Sequence, residues 1–247
     1  MVCITQYADL PKPPEITKLA EGAEKIAQVL ETQGEFRVRR LPATKQDAKE
    51  IIDPEQMLTA TELELAIKQL LNPKSDNPPG TALIFFAGHG LRKEIQRGHF
   101  EGFLATSDAS RDPDENQWGI SLQWLRELLQ QSPVQQQIVW IDACHSGELF
   151  NFTQTAEVLK TSEVLDHDRC FISSARPFEK AYAEGILTNA LLETLDYSKQ
   201  LNLWVNNDTL VEWLKKANEK ALGAQRFQYE QAGKPIILTN QAFENKI

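Results

Sequence analysis

Six short runs of the chain, at residues 1–5, 36–41, 81–87, 137–143, 170–174 and 235–239, are rich in Val, Ile and Phe and largely lack polar alternation. A strand with one wet face alternates polar and apolar residues, because successive side chains point to opposite sides. Runs without that alternation predict strands covered on both faces, as in a parallel sheet. Helical patterns lie between them. Leu19, Ala23, Ile26, Ala27 and Leu30 recur on one face of 16–32. Thr59 and Glu62 form a capping-box pair ahead of Leu63, Ile67, Leu70 and Leu71 over 60–71. Ser121 can cap a helix carrying Leu122, Leu125, Leu128 and Leu129, and residues 188–195 read as another. Asp208 can cap a last helix with Val211, Leu214 and Ala217. Strand–helix–strand alternation predicts an α/β fold with a mainly parallel sheet and helices on both faces.

There is no internal repeat. Residues 92–118 and 151–169 read as loops, and Pro73, Pro78 and Pro79 mark a break before the 81–87 strand. None has the character of a domain linker, so residues 1–247 read as a single domain with enough chain for a substantial core. The net charge of −9 argues against a nucleic-acid partner, which would draw on clustered Lys and Arg. No run reaches the ~18–20 apolar residues of a membrane span, and "MVCITQYADLP" lacks the form of a secretory signal. Three cysteines, Cys3, Cys144 and Cys170, are an odd number without metal-ligand spacing. That predicts a reducing, cytoplasmic setting.

Two of the apolar runs end in chemistry. "ALIFFAGHG" places His89 between Gly88 and Gly90, and "QIVWIDACHSG" places Cys144 two residues after Asp142. Functional groups of parallel α/β sheets collect at the carboxyl ends of the strands. Adjacent strands lie about 4.8 Å apart, so on neighbouring strands the two side chains come within reach. An imidazole beside a thiol can take its proton and later protonate a leaving amine. The two glycines let a substrate backbone approach, and the amides of Gly90 and Cys144 can face an oxyanion. Taken singly, such a histidine is more often a turn residue and such a cysteine more often core; it is their pairing that points to a site. Asp142 points to the Cys144 side by strand alternation. A carboxylate there opposes thiolate formation, so two readings stand: it binds a basic substrate side chain, or it accepts backbone hydrogen bonds in the turn after Cys144.

"FFAGHG" and "DACHSG", with the histidine about fifty residues before the cysteine, resemble the caspase-like cysteine peptidases, especially the bacterial metacaspase-type proteins called orthocaspases. "YADLPKPPEITKLAEGAEKIAQVLETQGEF", "FISSARPFEKAYAEGILTNALLETL" and "PIILT" are similar to further family segments. The resemblance implies a three-layer sandwich with a six-stranded central sheet. It implies a cysteine endopeptidase with His89 as general base, Cys144 as nucleophile and an oxyanion site near Gly90. Relatives with aspartate two before the cysteine cleave after Arg or Lys, so the resemblance favours Asp142 as the carboxylate of a pocket for a basic side chain; Ser173 either lines that pocket or is a plain strand-end serine. Many relatives are cut between the catalytic strand and the next, which makes Lys160 and Arg169 self-cleavage candidates.

The sequence also departs from the family. Ala87 stands where serine is common and Gly22 where many members carry a second pocket aspartate. The first strand reads as short of a few residues, and similar bacterial domains are often fused to further modules. These departures favour a rival reading, a non-catalytic regulatory or interaction module. A metal-dependent hydrolase is a third reading, but His89, His99, Cys144 and His145 lack zinc-ligand spacing. No cofactor is required by the sequence. Calcium activates some metacaspases, and Asp108, Asp112, Asp114 and Glu115 are acidic without forming an EF-hand, so they read as a solvated loop. His99 and His167 read as surface histidines.

Overall fold

The computed structural model describes residues 1–12, 16–75, 78–97, 99–110, 112, 117–150, 166–175, 185–201, 204–220 and 226–240. In chain order the elements begin with β1 (Val2–Cys3), α1 (Ile16–Gln33), β2 (Ala43–Gln46), β3 (Lys49–Ile52), α2 (Ala60–Leu71) and β4 (Thr81–Ala87). Next come β5 (Gly90–Gln96), β6 (His99–Leu104), β7 (Ile120–Ser121), α3 (Leu122–Gln131) and β8 (Gln136–Asp142). A 3-10 turn (Ser146–Phe150) precedes β9 (Asp168–Ala175), α4 (Ile186–Leu201), β10 (Val205–Asn206), α5 (Asn207–Lys220), β11 (Arg226–Ala232) and β12 (Ile237–Thr239).

The central sheet runs β1-β4-β8-β9-β11. Its first four strands are parallel and β11 is antiparallel to β9. The non-alternating runs are buried on both sides. In β4, Ile84 and Phe86 enter one core while Phe85 and Ala87 enter the other. In β8 the same split separates Val139 and Ile141 from Ile138 and Trp140. Leu63 and Ile67 of α2 and Leu122 and Leu125 of α3 close the first face. Ile26 of α1, Leu191 of α4 and Leu210 of α5 close the second. Burying each such side chain contributes about 1.5–3 kcal/mol, and the result is an α/β sandwich with helices on both faces.

The helix signals are realised with their caps. Thr59 and Glu62 complete the capping box of α2, and Ser121 Oγ accepts from Trp124 N–H at the start of α3. At α5 the capping side chain is Asn206, whose Oδ1 accepts the Thr209 N–H at 2.9 Å; Asp208 sits inside the first turn and accepts from Gln231.

Among the described residues the central sheet has five strands and not six. Residues 36–41 are extended, yet only Leu41 bridges to β1, so this segment is a flank of the sheet and not a full strand. Residues 235–239 yield β12, which pairs with β10 outside the central sheet. The fifth central strand is β11, "RFQYEQA", a polar edge strand without the apolar run that marks the others. The 92–118 segment is likewise not all loop. Its β5–β6 hairpin is charged, and Arg92 lies over Phe100 at 3.9 Å and Lys93 over Trp118 at 5.3 Å.

Candidate active site

β4 and β8 are adjacent, parallel and in register, with Ala87 opposite Asp142. His89 and Cys144 each lie two residues beyond that pair, so both emerge at the same height of the sheet. Gly88 N–H donates to the Asp142 carbonyl at 3.3 Å. Gly90 lies directly on the Cys144 backbone: a methyl group there would overlap the Cys144 carbonyl, with its carbon 2.6 Å from the carbonyl carbon. The two strand ends therefore meet, and glycine at position 90 is what allows it.

The chain turns sharply after Cys144. His145 adopts φ 57°, a left-handed conformation that histidine tolerates better than most residues. Ser146 is buried, and its hydroxyl donates to the Ala143 carbonyl at 2.8 Å and lies 3.3 Å from that of Ser174. These bonds hold the half-exposed Cys144 at the tip of β8.

His89 is held from two sides. Its Nε2 lies 2.7 Å from the Pro11 carbonyl oxygen. A carbonyl can only accept, so Nε2 carries the proton and Nδ1 keeps the basic lone pair. The His89 backbone N–H donates to Tyr7 Oη at 2.8 Å, and the Tyr7 hydroxyl donates to the Ile4 carbonyl at 3.0 Å. The two rings stack at 4.8 Å between centroids with a 42° tilt. Burial pushes the Tyr7 phenol well above its ordinary pKa, so it remains a donor. Sequence reasoning missed Tyr7 and Pro11. The signal was "QYADLP", directly after a strand that ends beside β4.

Asp142 is 2% exposed and faces the α1/α4/α5 side of the sheet, as Ile138 and Trp140 do. Its Oδ2 accepts from the Thr188 N–H at 2.9 Å and the Thr188 hydroxyl at 2.7 Å, at the positive amino end of α4. Its Oδ1 has no hydrogen-bond partner among the described residues. The turn after Cys144 is therefore not what Asp142 binds. Gly22 of α1 lies against Thr188, whose Cγ2 would be 2.7 Å from a Cβ at position 22. The place of the expected second carboxylate is thus filled by Thr188.

Ser173 pairs with Ile141 and Gln228, while Ser174 pairs with Phe227. Alternation puts Ser174, and not Ser173, on the Asp142 face, which corrects the expectation that Ser173 lines a pocket with Asp142. Arg169 is also corrected. It lies within β9, paired to Gln137 on one side and Ala232 on the other, with its guanidinium 3.9 Å from Glu230. A protease needs extended, unpaired backbone, which a central strand does not offer. Lys160 lies outside the described residues.

Cys3 and Cys170 are buried, and burial pushes both thiols up to about 12. His99 is exposed, but His167 is not a surface residue: it is buried, with Nε2 donating to the Ser132 carbonyl at 2.8 Å. Asp108 is not part of a solvated loop either, since its carboxylate accepts the Ala60 N–H at the start of α2. Asp114 and Glu115 lie outside the described residues. No group of three or more His, Cys, Asp or Glu able to hold a metal occurs among the described residues. Among the same residues no helix is long and apolar enough to cross a membrane.

A mixed, mostly parallel sheet between helices, with a His and a Cys raised at neighbouring strand ends, defines an α/β sandwich of the caspase kind. The caspase-domain model of the Peptidase C14 family matches residues 1–239, and the chain belongs to that family. The fold is also shared with a crystal structure of protein GSU0716 from Geobacter sulfurreducens. That match has a TM-score of 0.56 and 15% identity, and covers 98% of this chain and 97% of the other. No curated protein matches the sequence. Membership supports a function of the cysteine-peptidase type, with polypeptide as substrate.

Proposed function

We propose that the chain is a cysteine endopeptidase using a His89/Cys144 dyad and cleaving after Arg or Lys. The reading is supported above all by the convergence of His89 and Cys144 beyond the Ala87–Asp142 register, with Gly90 seated on the Cys144 carbonyl. Pro11 fixes the tautomer that leaves Nδ1 as base. The Cys144 thiol gives its proton to Nδ1 as sulfur attacks the substrate carbonyl carbon. The amides of Gly90 and Cys144 take the oxyanion. The C–N bond breaks as the amine collects the proton from His89. Water, deprotonated by His89, then hydrolyses the thioester and restores the thiol. Asp142 supplies the charge for the basic side chain through Oδ1.

The free thiols of Cys3, Cys144 and Cys170 fit a cytoplasmic setting. Self-processing falls to Lys160 and not to Arg169; equal intact masses of wild type and Cys144→Ala after long incubation would remove it.

One observation favours the rival reading of a non-catalytic module. Thr188 already occupies Asp142 Oδ2 and fills the space beside Gly22. Fluorogenic peptides ending in Arg, Lys, Asp or Leu separate the two, assayed with and without calcium on wild type, Cys144→Ala and Asp142→Ala. Arg or Lys cleavage, lost in both folded variants, is the expected result. Cleavage after Asp keeps the dyad and sinks the pocket. No cleavage, together with no labelling of Cys144 by an arginine-bearing electrophile, favours the module.

A further inference from the structure

Asp142 offers a cation one oxygen and not two. A carboxylate has about four lone-pair sites, shared equally between its oxygens. Oδ2 accepts the Thr188 N–H at 2.9 Å and the Thr188 hydroxyl at 2.7 Å, so both of its sites are taken. Oδ1 is buried and has no hydrogen-bond partner among the described residues. Whatever completes this carboxylate does so through that single atom.

Thr188 is held in place from two sides. Its Cγ2 fills the space beside Gly22 of α1, where a Cβ would lie 2.7 Å from it. Gly185, directly before α4, closes the other side: a Cβ there would lie 3.4 Å from the Thr188 Cβ and 3.5 Å from its hydroxyl oxygen. A β-branched side chain has few rotamers to begin with, and these contacts keep the hydroxyl on Oδ2.

The neighbouring side chains are small. Cys3, Ala87 and Asp142 stand in one row across β1, β4 and β8, and Cys3 and Ala87 are buried on the Asp142 face. The charge of Asp142 reaches along that row, since burial and then this carboxylate push the Cys3 thiol up to about 12. Asp142 itself is 2% exposed, so a cation that arrives at Oδ1 leaves its water behind. Arginine then fares worse than lysine. A guanidinium holds its N–H donors in a rigid plane and pairs best with both oxygens of a carboxylate. With Oδ2 taken, the second arm of that fork has no acceptor, and a buried donor left unpaired is costly. An ammonium is a compact point charge, and its aliphatic stem packs on apolar walls.

We propose that Thr188, seated by Gly22, makes Asp142 a one-oxygen site that selects lysine over arginine before the scissile bond. The inference rests on the reading of Asp142 as the pocket carboxylate of a peptidase and names which basic residue that pocket takes.

The test compares acetyl-Gly-Gly-Lys and acetyl-Gly-Gly-Arg, each carrying the same fluorogenic amide. One readout is kcat/KM. The other is protection of Cys144 from iodoacetamide, followed by mass, which reports binding without turnover because Cys3 and Cys170 are buried. The wild type is expected to favour the lysine peptide by about tenfold or more in both readouts. Thr188→Val keeps the shape and the backbone N–H but frees one site on Oδ2, and is expected to bring the two peptides within about threefold. Thr188→Ser, which keeps the hydroxyl, is expected to retain the lysine preference. Equal use of the two peptides by the wild type, or a preference for arginine, overturns the inference even where Thr188→Val does not fold. An undiminished lysine preference in folded Thr188→Val overturns the role of Thr188. Protection by the lysine peptide over the arginine one, without cleavage of either, supports the one-oxygen site and sinks the peptidase reading instead. Protection by neither peptide overturns the inference, and cleavage of a peptide ending in Leu would then leave the peptidase reading standing.

Discussion

The two ends of β4 are built by opposite rules. At the carboxyl end every neighbour is present: β1 and β8 on either side, Tyr7 under the His89 amide, Pro11 on its ring, and Gly90 against Cys144. At the amino end β8 is present, but the opposite edge borders a cavity. One strand thus carries a site with no slack and a slot with room for several side chains. The difference lies in what holds the carboxyl end. Short, local contacts from residues 4–11 and 142–146 hold it.

Gly90→Ala strikes hardest at this contrast. The added carbon has no space against the Cys144 carbonyl, and overpacking of this kind costs about 1–3 kcal/mol. On the proposed mechanism, displacing the amides that face the oxyanion is expected to lower kcat by a factor of about 100 or more, measured as initial rates on the best fluorogenic substrate. A Gly90→Ala enzyme with wild-type kcat and Tm would mean the two strand ends are not in contact.

Matched core truncations sharpen it. Ile141→Ala removes a fully buried side chain near the carboxyl end of β8, while Ile84→Ala removes one that lines the slot. Large-to-small substitutions cost about 2–5 kcal/mol, and the cost falls where fewer contacts are lost. Ile141→Ala is expected near the top of that range and Ile84→Ala near the bottom, read from urea midpoints. Equal losses would mean that the amino end is packed as well as the carboxyl end.

The contrast also explains what could be read from the sequence. The runs at 81–87, 137–143 and 170–174 give β4, β8 and β9 almost to the residue, because strands buried on both faces have an unambiguous apolar signature. The capping box of α2 is equally local. His89 and Cys144 were legible because each closes such a run. Residues 36–41 carry the side-chain pattern of a strand, but pairing is a property of two segments, and the neighbour is two residues long. β11 was missed because an edge strand with Gln, Glu and Tyr outward resembles a loop. Tyr7 and Pro11 were missed because their roles rest on one hydroxyl and one carbonyl, which no periodicity encodes. Ser173 was misplaced by one residue, which in a strand is the wrong face.

Tyr7→Phe has a smaller effect. It keeps the ring contact and removes the acceptor of the His89 N–H in a partly buried place. The cost is about 1–3 kcal/mol. If His89 is the base, as proposed, the bond positions it without touching substrate, and kcat is expected to fall about tenfold with KM unchanged. A rise in KM at constant kcat would assign Tyr7 to substrate binding instead.

The smallest effect concerns the outer wall of the slot, which lacks a full ladder and depends on charge. Arg40, buried at the end of 36–41, binds Glu24 at 2.9 Å and Glu31 at 2.8 Å, both on α1. The hydrogen bond from Arg40 holds the Glu31 carboxyl below its ordinary value of 4.5. Its folded-state pKa is therefore below the unfolded one. The stabilisation is complete above the unfolded value and is lost as pH falls through the lower folded value. Glu31 is partly exposed, so solvent screens the pair and global stability changes little. The local consequence is that exchange-derived protection of Leu41 N–H is expected to weaken as pH falls below the ordinary carboxyl value of 4.5, earlier than that of Val139 in the central sheet. Glu31→Gln is expected to remove this acid step while leaving the neutral-pH protection of Val139 unchanged. If Leu41 and Val139 lose protection together as the pH falls, the wall is held by the whole fold and not by Arg40, and the two ends of β4 are less different than their contacts indicate.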